Sequence, residues 1–225
     1  MNIVDIKGKN IVIIGIGRSG TGAGKLAKYL GANVLISESK SNSKVVSLSE
    51  KIESFGIKTE LGGHSEKIFN ADLWIISPGV PQDALIVRKA SKMNIDIISE
   101  IEFASWFTNA QIIAITGSNG KTTTVNLLFK MCEIDEISPV LGGNIGIAFS
   151  DLVLADLQKN ILNRLYILEI SSFQMDRIKN FKPSISIFLN ISEDHLDRYK
   201  DMDDYTNAKL NMIQNQDQND HIIYN

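Results

Sequence analysis

Twice in this 225-residue chain a run of apolar, mostly β-branched residues ends in a glycine-rich turn and resumes as a helical pattern. The first instance is IVIIGIGRSG, Ile11 to Gly20, and the second is IIAITGSNGKTTT, Ile112 to Thr124. A strand that enters a helix through such a turn opens a βαβ unit. A strand apolar on both faces belongs in a parallel sheet covered by helices. Each turn also asks for an anion, because a helix N-terminus offers free N–H donors and a partial positive charge. Two restarts therefore predict two sheets, and either two phosphate-type ligands or one ligand with the other turn serving only close α/β packing.

The same alternation runs through the rest of the chain. Strands are predicted at Asn10–Gly15, Asn33–Ser37, Leu73–Ser77, Asp96–Ile98, Gln111–Thr116, Arg164–Glu169, Ser184–Asn190 and His221–Tyr224. Helices are predicted at Gly20–Leu30, Lys44–Phe55, Asp83–Met93, Glu100–Phe107, Lys121–Met131 and Tyr205–Gln214, and within Ile147–Lys159. The pattern restarts near Ser99, so residues 1–99 are expected to form a Rossmann-like α/β domain. Residues 100–225 are expected to form a P-loop-type mononucleotide-binding α/β domain. The last strand, in DHIIYN, has nothing after it, so the second sheet is expected to be incomplete as given.

Composition narrows the chemistry. A net charge of −3 without a basic stripe argues against a nucleic-acid partner. The single cysteine, Cys132, rules out an intrachain disulfide and a thiolate metal cluster, and is expected as a buried thiol. No apolar run approaches the ~20 residues needed to span a bilayer. The N-terminus lacks a signal-peptide pattern, so a cytoplasmic chain is expected. Metal ligands must come from carboxylates, hydroxyls, the three histidines or a modified side chain.

In GIGRSG each glycine has a physical task. Gly15 makes the tight turn, Gly17 lets a diphosphate approach the backbone, and Gly20 lets helix and strand pack closely. Glu38 ends the next strand, where an acid meets a ribose hydroxyl. NAD fits this pattern, and a UDP-sugar fits it equally. Ser77, Pro78 and Gly79, in SPGV, read either as a plain β-turn or as part of the same ligand edge.

TGSNGKTT is a short phosphate loop of the form G-x-x-G-K-T. Backbone N–H groups of Gly117, Ser118, Asn119 and Gly120 would surround phosphates, with Lys121 on their outer oxygens and Thr122 on Mg²⁺. The longer P-loop has a glycine where this chain has Ile115. Strands downstream should present metal ligands at their C-terminal ends. LYILEISSFQ offers Glu169, and SIFLNISEDHLDR offers Asn190 with Asp194, His195 and Asp197 beyond. Asp197 reads better as a helix-start residue. His64 and His221 read as structural or solvent-facing, and Lys209 alone reads as a solvated helix lysine.

TGSNGKTTT, GGNIG (Gly142–Gly146), EISSFQM (Glu169–Met175), NISEDHLDRY (Asn190–Tyr199) and YTNAKLNMI (Tyr205–Ile213) occur in this order. Together they resemble the Mur ligases of peptidoglycan synthesis. The short phosphate loop marks the wider superfamily, which includes folylpolyglutamate synthases. SSFQ and GGNIG resemble the branch that joins D-glutamate to UDP-N-acetylmuramoyl-L-alanine. The resemblance implies an ATP- and Mg²⁺-dependent ligase acting as a monomer, with UDP at the first turn and ATP at the second. Ile16, Gly17, Arg18 and Ser19 would cover the diphosphate. Glu38, Ser39 and Lys40 would lie near uracil and ribose, and Ser77, Pro78 and Gly79 along the same edge. Lys40 stands where the family pattern has an arginine.

Gly117 to Thr123 would hold ATP, with Lys121 on the β- and γ-phosphates and Thr122 and Glu169 on one Mg²⁺. His195 would hold a second Mg²⁺, joined by Lys209 if carbamylated, since a carbamate is an anionic oxygen ligand and an ammonium is not. Asn144 would sit near the γ-phosphate and the substrate carboxylate. Lys121, Asn144, His195 and Lys209 are thus the implied catalytic set. The family pattern continues beyond Asn225 into a region that contacts adenosine and D-glutamate, so this chain alone is expected to have little ligase activity. Competing readings are another Mur-type ligase, a NAD(P)-dependent oxidoreductase built on the first turn, and a UDP-sugar-binding module without chemistry.

Overall fold

The computed structural model describes residues 4–133, 138–194 and 197–225. It contains two parallel five-stranded sheets. The first is built from β1 (Asn10–Ile14), β2 (Asn33–Glu38), β3 (Lys58–Leu61), β4 (Leu73–Ile76) and β5 (Asp96–Ser99), in the order β3-β2-β1-β4-β5. The second uses β6 (Gln111–Thr116), β7 (Pro139–Gly143), β8 (Leu165–Glu169), β9 (Ile185–Phe188) and β10 (His221–Tyr224), in the order β10-β9-β6-β8-β7. In each sheet the strand before the glycine turn is central, and its neighbours lie on opposite sides. That reversal opens a crevice at the C-terminal end of the strand, where ligands of open α/β sheets bind.

The helices are α1 (Arg18–Tyr29), α2 (Ser43–Glu53), α3 (Leu85–Lys92), α4 (Glu100–Ser105), α5 (Lys121–Cys132), α6 (Phe149–Lys159), α7 (Ser172–Met175) and α8 (Met202–Leu210). Side-chain caps mark several starts: Asn42 accepts from Val45 N–H, Ser99 from Glu102 N–H, and Asp201 from Asp204 N–H. Asp201, not Asp197, therefore opens α8; Asp197 lies in the preceding turn. The cap also moves the start of α8 ahead of the predicted Tyr205, and a short 3₁₀ turn, Asn211–Ile213, ends the segment.

Strands β3 and β7 were not anticipated. KTEL lacks an apolar run, and PVLGG begins with proline and ends in two glycines; both are edge strands, where pairing on one side suffices. The expectation of a buried Cys132 also needs correction. It is half-buried at the last position of α5, a helix in which Val125 alone is buried.

One apolar core runs through both sheets. Ile11, Ile13 and Leu26 from the first half and Phe149, Tyr166 and Leu168 from the second belong to a single buried cluster. Helix α1 packs on α6 because its inner face is small: Gly20, Gly22, Ala23, Gly24 and Ala27 are buried. A Cβ on Gly22 would lie 3.1 Å from both Ala148 Cβ and an Asp151 carboxylate oxygen. Behind α4, the fully buried Glu102 accepts the N–H groups of Lys179, Asn180 and Phe181 and the indole N–H of Trp106. The two turns are thus carried on one packed body.

Candidate active site

At the first turn Gly15 takes φ +99°, and a Cβ there would stand 2.8 Å from Ser77 Oγ. Ser77 Oγ instead donates to Gly15 O at 3.2 Å, tying the SPGV segment to the turn. A Cβ on Gly20 would fall 2.0 Å from Gly15 O, so only glycine fits. Gly17, the residue before α1, has open space where a Cβ would be. Glu38 closes the turn from β2. Its carboxylate accepts Ile16 N–H at 3.1 Å, Lys40 N–H at 3.0 Å and the Ser39 hydroxyl at 3.2 Å. Burial pushes the Glu38 pKa up, but these donors outweigh it and leave it below the ordinary carboxylate value.

These groups line a cleft of about 720 Å³. Gly17, Arg18, Ser19, Glu38, Ser39, Lys40, Ser77, Pro78 and Gly79 all border it, together with Asn144 from the second half. Ile16 does not; its side chain is buried and its N–H is taken by Glu38. His64 does line it, although the sequence offered no signal that set it apart from a solvent-facing histidine.

At the second turn Gly117 has φ +158° and Gly120 has φ +82°, the left-handed conformation from which α5 starts. The loop is pinned to the end of β9. Ser118 N–H donates to Asn190 O at 3.1 Å and Asn119 N–H to Asn190 Oδ1 at 2.9 Å. Lys121 Nζ folds back onto Gly117 O at 2.7 Å and Ser118 O at 2.8 Å. Thr122 Oγ1 donates to Glu169 Oε2 at 2.7 Å, and Asn144 Nδ2 to Glu169 Oε1 at 2.8 Å. Thr123 is exposed one position further along α5. The structure thus brings Lys121, Thr122, Asn144 and Glu169 together at the ends of β6, β7 and β8. His195 lies outside the described residues.

Lys209 overturns the reading of a solvated lysine. It is 2 % exposed, with Nζ 3.2 Å from Gly117 O and 4.5 Å from the centre of the Tyr205 ring. Burial lowers its pKa to about 8, with Asp194 acting in the opposite sense. Burial, then the Lys209 charge, also lowers the pKa of Lys121. The helical pattern of α8 could not reveal this, because the partner of Lys209, Gly117 O, lies 92 positions away in the sequence.

The chemistry of the donors suits a hard divalent cation, which takes oxygen ligands. The Thr122 hydroxyl and the nearly fully buried Glu169 carboxylate are such a pair. Among the described residues no group of three or more His, Cys, Asp or Glu side chains gathers. Phosphate oxygens could complete the shell of an ion at Thr122 and Glu169.

Two arginines join the halves across the cleft. Arg18, from the first turn, donates to Asn144 O at 2.6 Å and Gly146 O at 2.8 Å. Arg198 lies 3.4 Å from Pro78 O and 3.5 Å from Val80 O, with its guanidinium over the Phe173 ring. The first turn thus connects through Asn144 to Glu169 and from there to the phosphate loop.

Two family models divide the chain between them. The Mur ligase middle domain matches residues 115–225, and the MurD-like N-terminal domain of Mur ligases matches residues 9–99. The chain belongs to the Mur ligase family. Among curated Mur ligases, UDP-N-acetylmuramoylalanine–D-glutamate ligase of Chloroherpeton thalassium is 42% identical over 98% of this chain and 47% of its own length. The enzyme of the same name from Salinibacter ruber is 38% identical over 98% of this chain and 48% of its own length. The chain spans about half the length of the curated relatives it matches. The fold is shared with a solved murein peptide ligase of Psychrobacter arcticus, at TM-score 0.58 and 21% identity over 96% of this chain and 49% of that one.

Proposed function

We propose that this chain supplies the sugar-nucleotide site and the phosphate–metal half of an ATP-dependent ligase that adds D-glutamate to UDP-N-acetylmuramoyl-L-alanine. The observation that carries this reading is the connected path from Arg18 through Asn144 and Glu169 to Thr122, which links the two glycine turns by hydrogen bonds. An oxidoreductase using the first turn would leave the Lys121, Thr122 and Glu169 arrangement without a task. In this proposal residues 1–99 hold the UDP moiety and residues 100–225 hold ATP, in a cytoplasmic monomer.

In the first step a carboxylate oxygen of the L-alanyl group attacks the γ-phosphorus of ATP. The bond to ADP breaks and an acyl phosphate forms. The D-glutamate amine then adds to the acyl carbon, and the tetrahedral intermediate expels phosphate and loses the amine proton. The difficulty is electrostatic: a carboxylate must approach a polyphosphate. The α5 N-terminus and the Lys121 ammonium would offset that repulsion; the Ser118 and Asn119 N–H groups are already engaged by Asn190. Lys121 would exchange its two carbonyl partners for phosphate oxygens. Thr122 and Glu169 would hold one Mg²⁺, which when bound supplies positive charge to the transferring phosphoryl group. Asn144, already fixed by Glu169, would face the γ-phosphate and the substrate carboxylate. Lys209 would serve as a further metal ligand once its neutral amine has added to CO₂ and lost a proton; burial favours that neutral form. His195 is assigned the second Mg²⁺ on the family resemblance.

Thermal shifts of the purified chain test the proposal. A ligand at a hundred times its Kd stabilises the folded state by about 2.7 kcal/mol. UDP-N-acetylmuramoyl-L-alanine and ATP·Mg²⁺ should each raise the melting temperature. Stabilisation by NADH, with neither of the other two effective, would overturn the reading.

A further inference from the structure

The first cleft contains a histidine that the ligase reading leaves without a task. His64 follows β3 after two glycines and is half-buried. Its Nδ1 lies 2.7 Å from Ser37 Oγ, and Ser37 Oγ lies 2.6 Å from Glu60 Oε1. Glu60 also accepts from Ser65 N–H at 3.2 Å and Ser65 Oγ at 2.7 Å. Burial raises the Glu60 pKa, but the Ser37 and Ser65 donors outweigh it and keep the carboxylate ionised.

That network settles where the protons lie. An ionised carboxylate only accepts, and a serine has a single hydroxyl proton. The Ser37 proton must therefore point at Glu60. The Ser37 lone pair then faces His64 Nδ1, and two lone pairs at 2.7 Å would repel. Nδ1 must carry a proton, so neutral His64 is the Nδ1–H tautomer and Nε2 keeps its lone pair. Nε2 has no hydrogen-bonded protein partner among the described residues. The ring borders the same cleft as Glu38, Ser39 and Lys40. Glu38 has already turned its oxygens to Ile16, Lys40 and Ser39.

We propose that His64 is a specificity-determining residue whose Nε2 accepts the imide N3–H of a uracil base. This rests on the first cleft being a uridine-nucleotide site. Cytosine presents an acceptor at N3, and an acceptor facing Nε2 leaves both unsatisfied, which costs more than a missing contact. Ser37 and Glu60 act through His64 by holding its tautomer.

The experiment uses the full chain with ¹⁵N-labelled histidine. Long-range ¹H–¹⁵N correlation reports the tautomer of each of the three histidines, and loss of one signal set in His64→Gln identifies His64. The Nδ1–H form is expected; an Nε2–H form overturns the proposal without any variant having to fold. Calorimetric titrations with UDP, CDP and N3-methyl-UDP follow, on the wild type, His64→Ala and His64→Gln. UDP should bind at least about tenfold more tightly than the other two. In His64→Ala the ratio should narrow to about twofold, through weaker UDP binding. If UDP binds and the ratio is unchanged in both variants, the cleft reading stands and the His64 assignment falls. If none of the three nucleotides binds the folded chain, the uridine reading itself fails and takes the assignment with it.

Discussion

The two glycine turns share a local plan, yet they handle charge in opposite ways. At the first, the guanidinium of Arg18 is turned away to carbonyls of the other half, and the Glu38 carboxylate accepts the Ile16 N–H of the turn. Backbone N–H groups and the α1 N-terminus are left for an anion, with Ser19 and Lys40 on the border of the cleft. At the second, the Lys121 and Lys209 side chains both donate to Gly117 O, so positive charge is concentrated on a single carbonyl. The helices differ in the same sense: α1 buries six of its residues, whereas α5 buries Val125. The first turn is a packed cradle, assigned in the proposal to a diphosphate diester that stays put. The second is an open, cationic one, assigned in the proposal to a more highly charged group that reacts. A common local motif is thus set in two different electrostatic surroundings by its neighbouring side chains.

The strongest test of the contrast asks whether the turns belong to one cooperative body. Glu102→Ala leaves several buried N–H donors without a partner, at roughly 1–3 kcal/mol each, so a loss on the order of 3–5 kcal/mol is expected. Denaturant unfolding should remain a single transition at a lower midpoint, because the core is continuous. A biphasic curve in which the first half survives would break the picture of one body.

Next in size, Lys121→Ala should weaken ATP·Mg²⁺ binding about a hundredfold, the value of one lost charge-assisted hydrogen bond of ~2.7 kcal/mol. UDP binding should not change; parallel losses by calorimetry would mean that the turns do not work separately. Gly17→Ala sharpens the other side. With φ −62° and open space at its Cβ, the variant should keep wild-type stability within about 0.5 kcal/mol. Its methyl group would occupy the approach of a diphosphate, so UDP affinity should drop about tenfold while ATP·Mg²⁺ affinity holds. Retention of full UDP affinity would remove Gly17 from the ligand path.

The smallest effect concerns the junction between the turns. Burial pushes the Glu100 pKa up from 4.5 to about 7, although Ser150 N–H donates to one oxygen. The folded state holds this proton more tightly than the unfolded one, so the group favours folding at low pH. That contribution fades as pH rises through about 7. Glu100→Gln should therefore be the more stable protein above pH 7 and lose its advantage below about pH 4.5. The gain should stay near 1 kcal/mol, because the second oxygen has no partner and an amide N–H₂ there would be unsatisfied. Equal stability of the two proteins at pH 8 would contradict the buried charge.

Most of the framework was legible because it rests on local rules. Runs such as IVIIG and IIAIT are apolar on both faces, and the glycines after them name the turns. Glu169 at the end of LYILE could be placed at a strand end near the phosphate loop, but its pairing with Thr122 came from the family resemblance. Strands β3 and β7 escaped because edge strands need little apolar sequence.

The chain's own order of residues therefore determined two parallel sheets and two glycine turns at strand ends, with Glu169 among the strand-end candidates near the second. Tertiary structure alone decided that Lys209 is buried against Gly117, that Arg18 serves the opposite half and that Ser37 and Glu60 set the proton on His64. The division has a physical origin. Periodicity and turn chemistry act over a few neighbouring residues, whereas desolvation and hydrogen-bond partnership depend on groups up to 128 positions apart, as Arg18 and Gly146 are.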